Sequence, residues 1–145
     1  MNRYSSLSIA LLVTLIAGCG SGAKSSTAPA NTPLENGRTI FQTGKDASGL
    51  QITARPAALM QSCAACHHAD GSGGVHLPRG AVSADLRHKA LVTGQTPPYT
   101  VALLERAIST GIDNNGQTLS PVMPRWQLSA RDLKDVSTYV LTQLK

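Results

Sequence analysis

The pentapeptide Cys63-Ala64-Ala65-Cys66-His67 constrains this chain more than any other stretch of it. Two thiols at this spacing can add to the two vinyl groups on one edge of a haem. The next residue, His67, then places an imidazole beneath the iron. A cysteine pair followed at once by a histidine is the pattern of c-type haem attachment. The motif therefore predicts one covalently bound haem c, held by Cys63 and Cys66 and ligated by His67.

Three other kinds of site compete with haem for such a cysteine pair. A thioredoxin-like redox pair sits at a strand-to-helix junction of an α/β domain, and the strand pattern here is sparse. A structural zinc site needs four ligands, which His68, His76 and His88 could complete, but their spacing follows no zinc-ribbon pattern. A pair of bare structural thiols would be expected to oxidise in an exported chain. Haem is favoured over all three.

The first 18 residues are typical of a targeting segment. Arg3 gives a basic start, and the mostly apolar run at residues 7–17 is too short to cross a bilayer core of about 30 Å. Leu-Ile-Ala-Gly before Cys19 resembles a bacterial lipoprotein signal, in which the cysteine is acylated and becomes the new N-terminus. An ordinary secretory signal with a chance cysteine is the alternative. We expect a signal peptide at residues 1–18, lipid on Cys19, and a membrane-anchored protein on the periplasmic side of the cell envelope.

The segment that follows the signal is small and polar and has no large apolar side chain. Residues 19–33 are therefore expected to form a lipidated flexible tether, and residues 34–145 a single folded domain. With Cys19 assigned to lipid and the other two cysteines to haem, no cysteine is left for a disulfide. A domain of this length with so few aromatic residues has a thin core. A bound cofactor would supply much of the missing stability.

Apolar periodicity and capping residues predict a small all-α domain of three to five helices with long loops. The expected helices are residues 34–43 ending at Gly44, a stretch from Pro56 into the cysteines, residues 99–110 ending at Gly111, and a last helix capped by Ser129 with an apolar stripe of Leu133, Val136, Val140 and Leu144. The expected connections are turns at 46–49 and 113–116, a weak strand within 50–55, a loop at 70–74 and irregular chain at 75–98.

With its haem-attachment motif, the chain resembles the small monohaem cytochrome c family over residues 34–145. That family carries a glycine and an aromatic residue on its first helix and an aromatic residue on its last, as Gly37, Phe41 and Tyr139 do here. The resemblance implies a cytochrome c-like domain wrapped around one covalently attached haem. One departure is the 22 residues from Phe41 to Cys63, a longer link than in compact members. The extra residues, about 44–60, are expected to form a loop over the edge or side of the haem.

The resemblance also implies a methionine as the second iron ligand, in a proline-containing loop before the last helix. Met123 lies in such a loop, between Pro121 and Pro124, which restrict its backbone. Only one other methionine follows the targeting segment. Met60 lies three residues before Cys63 and is interpreted as a filler of the core. Met123 is therefore the expected distal ligand.

Weaker expectations concern the surroundings of the haem. In the family, the iron-binding histidine donates its outer ring N–H to a backbone carbonyl, often that of a proline, and Pro78 is the nearest match. Possible donors to a haem propionate are Arg79, Arg125 and Trp126. The three remaining histidines, His68, His76 and His88, are expected to be solvated.

The expected function is one-electron transfer in a cell-envelope electron transport chain, with His/Met axial ligation of the iron. The chain is not expected to be an enzyme, although it could be a subunit of, or donor to, an oxidase or dehydrogenase. Its formal net charge is +5, but the basic residues are scattered, so no nucleic-acid partner is expected. If Met123 were displaced from the iron, a haem sensor or weak peroxidase would be the alternative. Without haem, a metal- or thiol-based module would be the third possibility.

Overall fold

The structure is a computed structural model and describes residues 31–145. The predicted signal peptide, Cys19 and most of the tether lie outside the described residues. The α-helices and strands of the described part are α1 (Pro33–Thr43), β1 (Thr53–Arg55), α2 (Ala64–His67), α3 (Val101–Thr110), β2 (Arg125–Gln127) and α4 (Ala130–Gln143). A 3-10 turn at Pro78–Gly80 and a π-helical turn at Lys89–Thr93 lie in the segment predicted to be irregular. The predicted all-α class is confirmed.

Local capping chemistry fixes the ends of the first helix. The Thr32 hydroxyl accepts from the backbone N–H of Glu35, and the Glu35 carboxylate accepts in return from the backbone N–H of Thr32, which completes a capping box. Gly44 ends the helix with φ of 68°, a left-handed conformation that glycine adopts at little cost. The helix thus ends where the sequence predicts.

The other two long helices follow the same logic. Thr100 caps α3 by accepting from the Leu103 N–H, so this helix begins two residues later than predicted. Gly111 ends it with φ of 74°. Ser129 caps α4 by accepting from the N–H of Asp132, as predicted.

Helices α1 and α4 cross in close contact at Gly37. A Cβ at this position would lie 2.7 Å from the carbonyl carbon of Asp135 and 2.8 Å from the Cβ of Tyr139, closer than atoms can pack. One turn further along, the Phe41 and Tyr139 rings meet at a centroid distance of 5.7 Å and an angle of 47°. The predicted glycine and aromatic crossing is confirmed. The buried Asn36 amide adds hydrogen bonds to the carboxylates of Asp132 (2.8 Å) and Asp135 (2.9 Å).

The extra residues between α1 and the cysteines form an excursion whose two ends meet. The Gln51 side chain donates to the carbonyls of Gly44 and Gln61, both at 2.7 Å. Midway, β1 pairs antiparallel with β2, with Ala54 opposite Trp126. The weak strand predicted within 50–55 is thus confirmed over its last three residues.

The helical stretch predicted to start at Pro56 is wrong, because the chain runs through bends until α2 begins at Ala64. Here tertiary contacts outweigh local helix propensity. Ala58 packs against the core, and the Gln61 carbonyl is held by the side chain of Gln51.

The core lies between α1, α3 and α4, and each helix contributes one apolar face. Its buried members include Ile40, Phe41, Leu104, Ile108, Val136, Tyr139 and Val140. Of the apolar stripe predicted for the last helix, Val136 and Val140 on α4 are buried, as is Leu144 just after its end, and Leu133 packs at the margin. Between residues 31 and 145, no helix has both the length and the apolar character needed to cross a bilayer.

Candidate functional site

A cleft enters the molecule beside α2, and its empty space, counted together with the open solvent at its mouth, is about 1080 Å³. Its inner wall is apolar and comes from the three long helices: Phe41, Leu104, Ile108, Val136 and Val140. Apolar walls with a few polar groups are typical of small-molecule and cofactor sites. The apolar lining of this cleft therefore suits a flat organic cofactor.

The haem-attachment motif folds into the single turn α2 at the mouth of this cleft. The N–H groups of Cys66 and His67 both donate to the Cys63 carbonyl, at 3.1 and 2.9 Å. Residues three and four apart share one helix face, so one turn brings both thiols and the imidazole to the same wall. Cys63, Cys66 and His67 all line the cleft, and both cysteines are free.

His67 is oriented by a backbone carbonyl. Its Nδ1 lies 2.8 Å from the carbonyl oxygen of Ala84. Because a carbonyl can only accept, Nδ1 carries the proton and Nε2 keeps its lone pair. Burial lowers the pKa of His67, which keeps the ring neutral, the form that binds metals. Gly73 allows this approach, since a Cβ there would lie 2.5 Å from the carbonyl carbon of Ala84.

The prediction that His67 donates to the Pro78 carbonyl is wrong, because the Ala84 carbonyl accepts instead. The segment from Val75 to Ser83 folds back on itself: the Ser83 N–H donates to the Val75 carbonyl (3.0 Å) and the Leu77 N–H to the Ala81 carbonyl (2.8 Å). Pro78 therefore lies exposed at the tip of this small hairpin. The chain returns to His67 only at Ala84.

The two cysteine thiols are uncharged in the folded chain at neutral pH. Burial raises the pKa of Cys63 to about 12 and also raises the pKa of Cys66. An apolar wall disfavours a thiolate. It accepts a thiol or a thioether, both of which are neutral.

Met123 lines the same cleft from the loop between α3 and β2. Its N–H donates to the Ser120 carbonyl at 3.1 Å, which closes a turn around Pro121. Met60 also lines the cleft and is 44% exposed, so its interpretation as a core filler is wrong. The excursion between α1 and α2 brings Met60 and Leu59 to the lining of the cleft, and a loop over the haem edge stays a prediction.

The remaining predicted residues have different surroundings. Arg79 is exposed on the hairpin and does not line the cleft, whereas Trp126 is buried and does. Trp126 as a propionate donor stays a prediction. His68, His76 and His88 are exposed, as expected.

The zinc alternative needs several ligands in one place. Among the described residues, no three His, Cys, Asp or Glu side chains gather as a metal site would require.

Sequence reasoning missed two features of the site. One is the hydrogen bond between His67 and the Ala84 carbonyl, because every residue has a backbone carbonyl and the sequence does not single one out. The other is Arg125, whose guanidinium donates to three backbone carbonyls of the loop that carries Met123. The sequence suggests Arg125 only as a possible donor to a haem propionate.

Comparison with known proteins agrees with this geometry. A family model described as Cytochrome c matches residues 34–143. The chain belongs to the cytochrome c family. None of the curated proteins compared matches it. As a member of this family, the cytochrome binds haem c covalently and is an electron-transfer protein.

The residues of the cleft fit that cofactor. Its walls are apolar, two neutral thiols and a neutral imidazole with a free Nε2 share one wall, and a thioether lies on another segment of the lining. This cytochrome thus brings two thiols, an imidazole and a thioether together in one cleft, and groups of these kinds can attach a haem and bind its iron.

Proposed function

We propose that this cytochrome carries single electrons in a cell-envelope electron transport chain, with haem c bonded to Cys63 and Cys66 and its iron held by His67 and Met123. The observation that carries the proposal is the single cleft lined by these four side chains. When bound, haem c supplies a one-electron iron couple. The chain's own residues attach it, orient the ligands and exclude water from one side.

The four side chains have three roles in this proposal. Cys63 and Cys66 would attach the haem covalently. His67 offers Nε2, and its hydrogen bond to Ala84 raises the basicity of that nitrogen. Met123 offers a soft sulfur, which favours the ferrous state relative to a second nitrogen ligand. With His67 and Met123 both bound to the iron, small ligands would be kept from it, which would suit electron transfer rather than catalysis.

The Met123 assignment is tested by a redox titration followed by visible spectroscopy, on wild type and on Met123→Ala. The oxidised wild type is expected to show the weak long-wavelength charge-transfer band of an iron–sulfur bond. The reduced wild type is expected not to bind carbon monoxide. Met123→Ala should lose the band, titrate at a lower potential and bind carbon monoxide. Met60→Ala, a methionine change on the same cleft, is the control and should keep the band. Ready carbon monoxide binding by the wild type would contradict the assignment and favour a sensor or peroxidase.

The proposed location rests on the N-terminal sequence. Lipoprotein acylation at Cys19 would supply more than one acyl chain, which stable anchoring requires. The protein would then be held on the periplasmic side of a membrane, within reach of a membrane oxidase or dehydrogenase. Mass spectrometry of the N-terminal peptide tests this, and we expect a chain that starts at an acylated Cys19. An unmodified Cys19, or cleavage elsewhere, would contradict the anchor while leaving the redox proposal intact.

A further inference from the structure

We propose that Arg125 is a positioning residue for Met123: its guanidinium, outside the cleft, holds the ligand loop (residues 119–124) in the shape that presents the thioether. The proposal rests on the proposed function, because it takes Met123 to be the iron ligand. It concerns how firmly the loop holds Met123 at the iron, beyond the strength of the iron–sulfur bond itself.

The ligand loop has few hydrogen bonds of its own. Pro121 and Pro124 have no N–H to donate. Between them, the Met123 N–H donates to the Ser120 carbonyl (3.1 Å) and the Val122 N–H to the Ser120 hydroxyl (3.3 Å). A loop with so few internal donors needs donors from elsewhere to keep its carbonyls fixed.

Arg125 supplies those donors. Its Nη2 donates to the Leu119 carbonyl at 3.0 Å, and its Nη1 donates to the Ser120 carbonyl at 3.4 Å and to the Met123 carbonyl. These acceptors stand at the start of the loop and at the ligand itself. Because the guanidinium is planar and charged, one rigid group joins both ends, through bonds roughly twice as strong as neutral ones.

The guanidinium is itself held in place. The backbone of Arg125 lies in β2, opposite Arg55 of β1. Its side chain lies over Gly111, the left-handed glycine that ends α3, where a Cβ would overlap the guanidinium atoms. The Leu119 N–H donates to the Gly111 carbonyl at 2.8 Å, so the same glycine also anchors the start of the loop. A side chain at residue 111 would therefore displace Arg125.

The test measures how readily imidazole replaces Met123 on the oxidised, haem-loaded protein. In Arg125→Ala we expect apparent imidazole affinity to rise about tenfold, the effect of losing one strong hydrogen bond to the closed loop. In Arg125→Lys the rise should be smaller, because an ammonium can reach one acceptor but cannot span both ends. The matched control is Arg55→Ala, an arginine on the paired strand that makes none of these bonds, and it should stay within about twofold of wild type.

A pair of glycine variants tests the same proposal with Arg125 intact. Gly111 and Gly116 have left-handed φ of 74° and 82°, so an alanine is strained at both, but only at Gly111 would its Cβ meet the guanidinium. Gly111→Ala should raise imidazole affinity, and Gly116→Ala should not. If Arg125→Ala accumulates no haem-loaded protein, the lysine variant and the glycine pair decide the outcome.

Met123→Ala separates the two proposals. If it leaves imidazole affinity unchanged, Met123 is not the ligand and the proposed function fails. If it raises imidazole affinity while Arg125→Ala, Arg125→Lys and Gly111→Ala all stay within about twofold of wild type, the positioning role of Arg125 is overturned and the ligation stands.

Discussion

The orientation of His67 depends on backbone atoms rather than on another side chain. The Ala84 carbonyl accepts its Nδ1–H, and Gly73 gives that carbonyl room to approach. A histidine hydrogen-bonded in this way is a more basic ligand and has only one nitrogen to offer. The loop from Gly73 to Ala84 therefore affects the proposed iron ligand, His67, as directly as α2 does.

Strain next to this ligand gives a prediction at the same scale. His68 follows the haem-attachment motif with φ of 60° and ψ of 161°, a region that essentially only glycine occupies and that costs other residues about 1–3 kcal/mol. His68→Gly should relieve the strain and so stabilise the folded chain. The greater freedom of glycine in the unfolded chain offsets about 0.5–1 kcal/mol of that gain. A net gain of about 1 kcal/mol would raise the melting temperature by several degrees.

The measurement is thermal unfolding of the haem-loaded protein by circular dichroism. His76→Gly is the matched control, because His76 is also exposed and its φ is not positive. At His76 the change to glycine relieves no strain and adds only the entropic cost of glycine, so it should lower the melting temperature. A lower melting temperature in both variants would show that His68 carries no such strain.

Some residues of the site could be predicted from the sequence and others could not. Cys63, Cys66 and His67 are adjacent in a motif whose chemistry depends on spacing alone, so no tertiary knowledge was needed to bring them together. The Ala84 carbonyl could not be predicted, because any residue offers one. The exposure of Met60 could not be predicted either, since it depends on where the excursion after α1 returns to the domain.

At the scale of elements, the long helices were predictable because their ends are determined locally. Thr32 and Ser129 bond to N–H groups three residues ahead, and Gly44 and Gly111 take left-handed conformations that stop the helix. The stretch after Pro56 shows the limit of such reasoning. Its propensity favours a helix, yet contacts with distant residues hold it in bends.

The excursion between α1 and α2 should be removable, because its ends meet at Gly44 and Gln61. Replacing residues 45–60 by two glycines should leave haem attachment intact, since the motif lies beyond the junction. The cytochrome should melt roughly ten degrees lower, because Ile52 leaves the core. It should also release Met123 more readily, because β2 loses its partner strand.

Imidazole titration and thermal melts of the shortened protein test this prediction. Leu50→Ala, at an exposed site within the excursion, is the control and should leave both measurements unchanged. A shortened protein that carries no haem would show that the haem-attachment motif depends on the excursion. One that binds imidazole as weakly as wild type would show that β1 does not support the ligand loop.

For the whole molecule, cofactor and core cannot be separated. Phe41, Ile108 and Val140 belong both to the core and to the lining of the cleft. A group bound there shields from water the apolar surface that the small core leaves uncovered, and binding to the folded state alone stabilises it. The chain without haem is therefore expected to be largely unfolded.

The central claim is that haem is joined to this chain at Cys63 and Cys66. Its most direct test is mass spectrometry of the denatured protein, made in a host that matures c-type cytochromes and extracted with acid and organic solvent. The account predicts a chain heavier by one haem, with the added mass on the peptide that contains residues 63–67. Cys63→Ala combined with Cys66→Ala should carry none. Release of the haem from the wild type by extraction, or its recovery on any other peptide, would contradict the account.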